Sequence, residues 1–128
     1  MNIENQNSIL QRMQNLSIEC RIDADTQQHY SRDESVATKG HVLAVCFPKN
    51  TEQVQNVVRV ANELNIPIIP RGAGSGLSGA AVPFQDSLIV SLEHMNRILD
   101  IDKLHLRARV QPGVITGDIR KAVEHMGL

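Results

Sequence analysis

Four glycines, Gly72, Gly74, Gly76 and Gly79, fall within eight consecutive residues and make up half of the glycine in the chain. Glycine weakens the interior of helices and strands, so such a cluster marks backbone held at unusual dihedrals or pressed close to a ligand. Successive amides in such a loop converge on a concave site for an anion. The full segment is Arg71, Gly72, Ala73, Gly74, Ser75, Gly76, Leu77, Ser78 and Gly79, so two hydroxyls and one cation stand among the amides. Each hydrogen bond to a charged oxygen is worth about 1.5–3 kcal/mol. Three or four would orient a diphosphate, less the cost of ordering the loop. With Arg71 as a modest charge complement, backbone dipoles must do the rest.

Three kinds of nucleotide loop fit a glycine cluster. A P-loop needs a lysine directly after its last glycine, and none follows here until Lys103. The run from Gly74 through Ser75, Gly76, Leu77 and Ser78 to Gly79 matches the dinucleotide fingerprint letter for letter, with Glu93 near the ribose-binding offset. That fingerprint requires the glycines to open a crossover helix. Residues 80–86 are all that separate Gly79 from the next apolar run, and Pro83 interrupts them. The match is accidental, and the expected device is a loop that binds phosphate with no helix behind it.

Other residues with chemical potential are dispersed. His29, His41, His94, His105 and His125 form no cluster, and Asp100 and Asp102 beside His105 read as turn residues before they read as metal ligands. Cys20 and Cys46 lack metal-ligand spacing. A single pair is thin for a disulfide framework, so both read as reduced thiols.

The elements that must position the loop follow from periodicity. Ile9, Leu10, Met13 and Leu16 predict a helix over residues 8–16 with Ser8 as its cap, and residues 17–39 read as a polar, irregular lead-in. Residues 41–47 form a short apolar run suited to a buried strand. Asn50 and Gln53 then make a capping-box pattern ahead of Val54, Val57, Val58, Ala61 and Leu64 at helical period. Asn65 ends that helix, and residues 66–70 read as a strand that Pro67 and Pro70 confine to places needing no N–H. Residues 87–92 read as a third strand, residues 98–101 and 106–110 as a hairpin, and Ile119, Ala122, Val123 and Met126 as a last helix. Thr116 is its expected N-cap, and Gly127 lies near its end. The predicted fold is α/β: a small, mostly parallel sheet with a right-handed βαβ crossover, a hairpin and flanking helices.

From about residue 41 to residue 128 the sequence resembles the FAD-binding domain of the vanillyl-alcohol oxidase / p-cresol methylhydroxylase superfamily. The resemblance rests on Pro48-x-x-Thr51-Glu52-x-Val54, on Ile66-Pro67-Ile68-Ile69-Pro70 running into the glycine loop, on Leu92-x-x-Met95-Asn96-Arg97-Ile98, and on Gln111-Pro112-Gly113-Val114. Within that superfamily the chain looks most like the glycolate oxidase FAD subunit and D-lactate dehydrogenases. The resemblance implies FAD as cofactor and a small 2-hydroxy acid as substrate, oxidised by hydride transfer to flavin. It implies that residues 71–77 wrap the FAD diphosphate, with Ser78, Gly79, Ala80 and Ala81 close by and Pro112, Gly113 and Val114 near the cofactor. Some members carry a flavin-linked histidine where Ser75 stands, so FAD is expected to be held non-covalently. It divides the chain into a lead-in, residues 1–39, and a first FAD-binding lobe, residues 40–128. A second lobe and a substrate cap, with the residues that assist hydride transfer, are expected to lie outside these residues.

Composition sets the remaining bounds. A chain of 128 residues with 41% apolar and 21% charged residues suits one modest globular domain. Only Tyr30, Phe47 and Phe84 are aromatic, so the core is expected to be aliphatic. A net charge of −1 and the lack of any basic run argue against nucleic acid as a partner. The polar N-terminus suggests neither a signal peptide nor an integral membrane segment, and the cytoplasm is the expected location. Two rival readings remain open at this level: a non-catalytic fragment that forms a homodimer through exposed apolar surface, and a generic anion-binding module with no preference for flavin.

Overall fold

The computed structural model describes residues 3–35 and 40–128. Its centre is a four-stranded sheet built from β1 (Glu19–Arg21), β2 (Val42–Phe47), β3 (Ile68–Arg71) and β4 (Ser87–Ser91), in the order β1-β2-β4-β3. β2 and β3 both run parallel to β4, and only β1 is antiparallel. The strands β2 and β4 are buried along their whole length. Covered on both faces, they show continuous apolar runs in place of alternation.

Helices α1 (Ile3–Asn15) and α3 (Thr51–Glu63) cover one face. Ile9, Met13, Val57, Val60 and Ala61 pack there against Ala44, Cys46, Leu88 and Val90. Helix α2 (Ala24–Tyr30) covers the other face, where Tyr30 meets Val42, Val45, Phe47 and Ile89. The mostly parallel sheet, the βαβ crossover through α3 and the flanking helices agree with the predicted class. Pro70 lies in β3, an edge strand, and Pro67 directly precedes it, places where a missing N–H costs nothing.

Several local expectations are corrected. Helix α1 begins at Ile3, so Ser8 lies inside it and caps nothing. Its first turns are held by a polar residue that an apolar pattern cannot register: buried Gln6 donates to the Leu43 carbonyl at 3.0 Å. The β2–β4 register shifts between Val42 and Ala44, and the Leu43 carbonyl also accepts from Gln27 on α2, again at 3.0 Å. One carbonyl with two lone pairs thus ties a helix from each face to the sheet. Residues 17–35 are not an irregular lead-in, since they contain β1 and α2. Asp23 caps α2 by accepting from the Thr26 amide at 2.9 Å. On α3 the buried stripe is Val57, Val60 and Ala61, while Val58 is exposed. Thr116 is the first residue of α4 (Thr116–Glu124); Ile115 holds the cap position with no side-chain bond.

The Asn50 cap stands as expected. Its Oδ1 accepts from the Gln53 amide at 2.9 Å, and Gln53 Oε1 accepts in return from the Lys49 amide at 2.8 Å, one residue earlier than a strict capping box. Replacing Asn50 by alanine should cost about 1 kcal/mol, read as a lower urea midpoint at unchanged slope, and Asn50→Asp should recover most of it. At the other end Asn65 takes a left-handed conformation, φ 57°, and the Ile66 amide reaches back to the Ala61 carbonyl at 2.9 Å. Asparagine tolerates that conformation, which stops α3 and turns the chain into β3.

The hairpin of β5 (Ile98–Asp102) and β6 (Arg107–Val110) forms a separate two-stranded sheet. Asp102 closes its turn, accepting from the His105 amide at 3.0 Å. The turn reading of Asp102 and His105 is the one the geometry supports.

Candidate functional site

The glycine-rich segment leaves the carboxyl end of β3 and returns as β4, and residues 72–86 contain no helix. Two neighbouring parallel strands are thus joined by a crossover made only of loop. Gly74 and Gly79 hold φ of 73° and 76°, in the left-handed region that favours glycine. Among the described residues, no backbone carbonyl accepts from the amides of residues 72–79. Gly72, Ala73, Ser75, Gly76, Leu77 and Ser78 are exposed, Gly74 is half-buried, and Gly79 is buried. Those exposed amides and the Ser75 and Ser78 hydroxyls form a surface that an anionic group could meet without breaking secondary structure.

Arg71 behaves differently from a surface charge complement. It is only 6% exposed, and its Nη1 donates to the Arg32 carbonyl at 2.6 Å. The guanidinium carbon lies 5.2 Å from the centre of the Tyr30 ring, within cation–π range. From above it is covered by Gly74, where any Cβ would overlap the guanidinium. Arg71 is therefore a strut beneath the loop, held from a segment that sequence reading treated as a passive lead-in. A pocket of about 290 Å³ opens beside it, lined by His29, Arg32, Asp33, Glu34, Arg71, Ala73 and Gly74. Hydrogen bonds from Ser35, including its amide at 2.8 Å, hold the Asp33 carboxyl below the usual carboxylate range. Two cations and two carboxylates share that pocket with His29, so it offers no net field for phosphate.

The second predicted segment lies across from the first. Ala73 and Gly113 line one cavity of about 400 Å³, together with Glu93, Asn96, Ile115 and Asp118. It sits at the carboxyl ends of β3 and β4, where ligands of open parallel sheets bind. The Gly113 amide donates to the Met95 carbonyl at 2.8 Å and the Val114 amide to the Gln111 carbonyl at 3.2 Å. These two amides are thus committed within the protein, and the Pro112-Gly113-Val114 turn contributes shape, not donors. Pro112 is exposed, and Gly113 and Val114 are half-buried.

Glu93 and Tyr30 are the residues that sequence reasoning undervalued. The Tyr30 hydroxyl donates to Glu93 Oε2 at 2.8 Å. Burial, then the neighbouring carboxylate, push the Tyr30 pKa up, so the ring keeps its proton and orients Glu93 at neutral pH. A carboxylate fixed in this way accepts from hydroxyl groups such as those of a ribose. The only sequence signal was Glu93 at the end of a predicted strand, and nothing pointed to its partner 63 positions earlier.

These features fit a dinucleotide of the FAD kind. Open amides and hydroxyls suit its diphosphate, the oriented Glu93 carboxylate suits its sugar hydroxyls, and the cavity brings both predicted segments together. Among the described residues no helix is long and apolar enough to cross a membrane.

Comparison with known proteins gives the same reading. A family model described as an FAD binding domain matches residues 42–128. Glycolate oxidase subunit GlcD of Bacillus subtilis is 41% identical over 77% of this chain and 21% of its own length. D-lactate dehydrogenase of Anaerostipes hadrus is 40% identical over 81% of this chain and 22% of its own. The chain spans about a fifth of the length of the curated relatives it matches. Among solved structures, p-cresol methylhydroxylase with substrate bound superposes on the whole chain with a TM-score of 0.84 and 27% identity, over 26% of its own length. The 4-ethylphenol oxidase of Gulosibacter chungangensis gives 0.79 and 30%, covering 96% of this chain and 25% of its own. With the family model spanning well over half of the residues, on a fold and a loop that agree with it, this chain belongs to the FAD-binding domain family of p-cresol methylhydroxylase type.

Proposed function

We propose that this chain is the diphosphate-binding lobe of an oxidoreductase that oxidises a 2-hydroxy acid of the glycolate or D-lactate kind. One observation carries the reading: the glycine loop and the Pro112-Gly113-Val114 turn, far apart in sequence, meet at one cavity beside the carboxyl ends of β3 and β4. Residues 40–128 form the lobe, and residues 1–39 are its lead-in, of which residues 3–35 brace it. Gly72, Ala73, Gly74, Ser75, Gly76, Leu77, Ser78 and Gly79 present amides and hydroxyls to the diphosphate. Arg71 holds the loop in shape, and Pro112, Gly113 and Val114 form the facing wall. FAD, when bound, supplies the hydride acceptor. With Ser75 in the loop, the flavin is held non-covalently. The substrate class rests on the 2-hydroxy acids named by the relatives, glycolate and D-lactate.

A second reading concerns the chain in isolation. Leu104 is 85% exposed and Leu106 74%, with Ile115 and Leu128 also exposed, so the hairpin turn and the residues flanking α4 present apolar surface able to pair with a second copy.

Titrating the purified chain with FAD, with ADP and inorganic phosphate as controls, tests both readings. The expected result is a resolved flavin spectrum with quenched fluorescence, competition by ADP, little effect of phosphate, and release of all the flavin on acid precipitation. Equal, weak binding of all three ligands would leave only a generic anion module. Sizing the same samples with and without FAD reads self-association separately from flavin binding.

A further inference from the structure

The two cysteines occupy directly opposed positions on adjacent antiparallel strands, Cys20 on β1 and Cys46 on β2. Their sulfurs lie 3.4 Å apart, and both are free thiols. Opposed residues of an antiparallel pair have Cα atoms about 4.5 or 5.5 Å apart, depending on the kind of pair. Both values lie within the range a disulfide spans. Spacing does not reveal this pairing, because 25 residues containing a whole helix stand between the two cysteines.

Exposure gives the two thiols different roles. Cys46 is fully buried, whereas Cys20 is only partly buried and sits on an edge strand. An external reagent can therefore reach Cys20 and not Cys46. We propose that Cys20 and Cys46 form a site of reversible thiol oxidation, closed by a low-molecular-weight disulfide acting as oxidant.

The Cys20 thiolate attacks one sulfur of the reagent, forms a mixed disulfide and expels the first thiolate. Cys46 gives up its proton and attacks the Cys20 sulfur, and the second reagent thiolate leaves. Two electrons pass from the cysteine pair to the reagent, and the two thiol protons end on its two thiols. The close Cys20 sulfur and burial both push the Cys46 pKa up. That direction agrees with burial in leaving Cys46 to react second, within the mixed disulfide.

The bond would join two parts of the molecule that are otherwise fastened non-covalently. β1 precedes residues 42–128, the span matched by the family model, and β2 opens that span. Helix α2, which follows β1 directly, carries Tyr30 toward Arg71. Oxidation would thus lock the segment that braces the glycine loop onto the sheet. Reduction would leave it held by packing and hydrogen bonds alone.

The test is to treat the folded chain with glutathione disulfide, count free thiols, map peptides by mass, and measure Tm before and after reduction. The expected product is a monomer that has lost two thiols, with a peptide linking Cys20 to Cys46. Its Tm should rise by roughly 10 °C, reversed by dithiothreitol. Cys20→Ala, at a partly exposed site, should fold and show neither thiol loss nor a Tm shift. Two free thiols after exposure to oxidant, a stable glutathione adduct on Cys20, or an intermolecular dimer through either cysteine would each overturn the proposal. A Tm rise that persists in Cys20→Ala would do the same.

Discussion

Gly113→Ala is expected to lower stability by about 3 kcal/mol, a fall of roughly 10 °C in Tm, and to weaken flavin binding with it. The cause is steric. A Cβ on residue 113 would overlap the Leu92 carbonyl and stand 3.0 Å from the Met95 carbonyl oxygen. Both obstacles are backbone, so neither can swing aside as a side chain would. The same carbonyl of Met95 accepts the Gly113 amide, so pushing the turns apart also lengthens that bond. Gly117→Ala is the matching control, because nothing lies within 4 Å of the added methyl and the residue is in the first turn of α4. Alanine is the better helix former, so that variant should be neutral or slightly stabilised. Urea unfolding of the two variants side by side reads the difference. Equal midpoints would show that the turn relaxes freely and does not fix the cavity wall.

Arg71→Met should weaken FAD binding at least tenfold, and Arg71→Lys should restore little of it. Methionine keeps the length of the stem but loses the bond to the Arg32 carbonyl and the stacking on Tyr30. Lysine keeps the charge, but a compact ammonium cannot reproduce a planar group held against a carbonyl, a ring and Gly74 together. If Arg71 acted as a direct phosphate ligand, lysine would recover much of the affinity and the salt dependence of binding. If it acts as a strut, Tyr30→Leu, which removes the ring under it, should weaken FAD binding more than Tyr30→Phe, which keeps the ring and loses only the hydroxyl bonded to Glu93. Isothermal titration at two salt concentrations distinguishes these roles. Wild-type affinity in Arg71→Met would remove Arg71 from the site altogether.

The sequence by itself determined the parts of this protein that depend on local chemistry. Asn50 caps α3 because a short side-chain acceptor next to a free amide needs no tertiary help, and Asn65 ends it because asparagine accepts a left-handed conformation. The continuous apolar runs at β2 and β4 declared themselves as strands covered on both faces. Pro83 and the short span of residues 80–86 excluded a helix after the glycines, and the fold has none there. The glycine loop was legible from spacing, and the family from the resemblance of four ordered motifs.

Tertiary structure decided what depends on residues far apart in the chain. Gln6 and Gln27 reach one carbonyl of Leu43 from opposite faces of the sheet, so polar residues pin the helices where an apolar pattern is silent. β1 is too short to show periodicity and exists because β2 offers it an edge. Arg71 looked like a surface charge facing an anion, but the sheet turns it inward, since the Arg32 carbonyl and the Tyr30 ring become available only after α2 docks. Periodicity and capping reach about one helical turn along the chain. Whether a buried polar group has a partner, and whether two cysteines face each other, is fixed by the order of strands, which here places β1 beside β2 and β4 between β2 and β3.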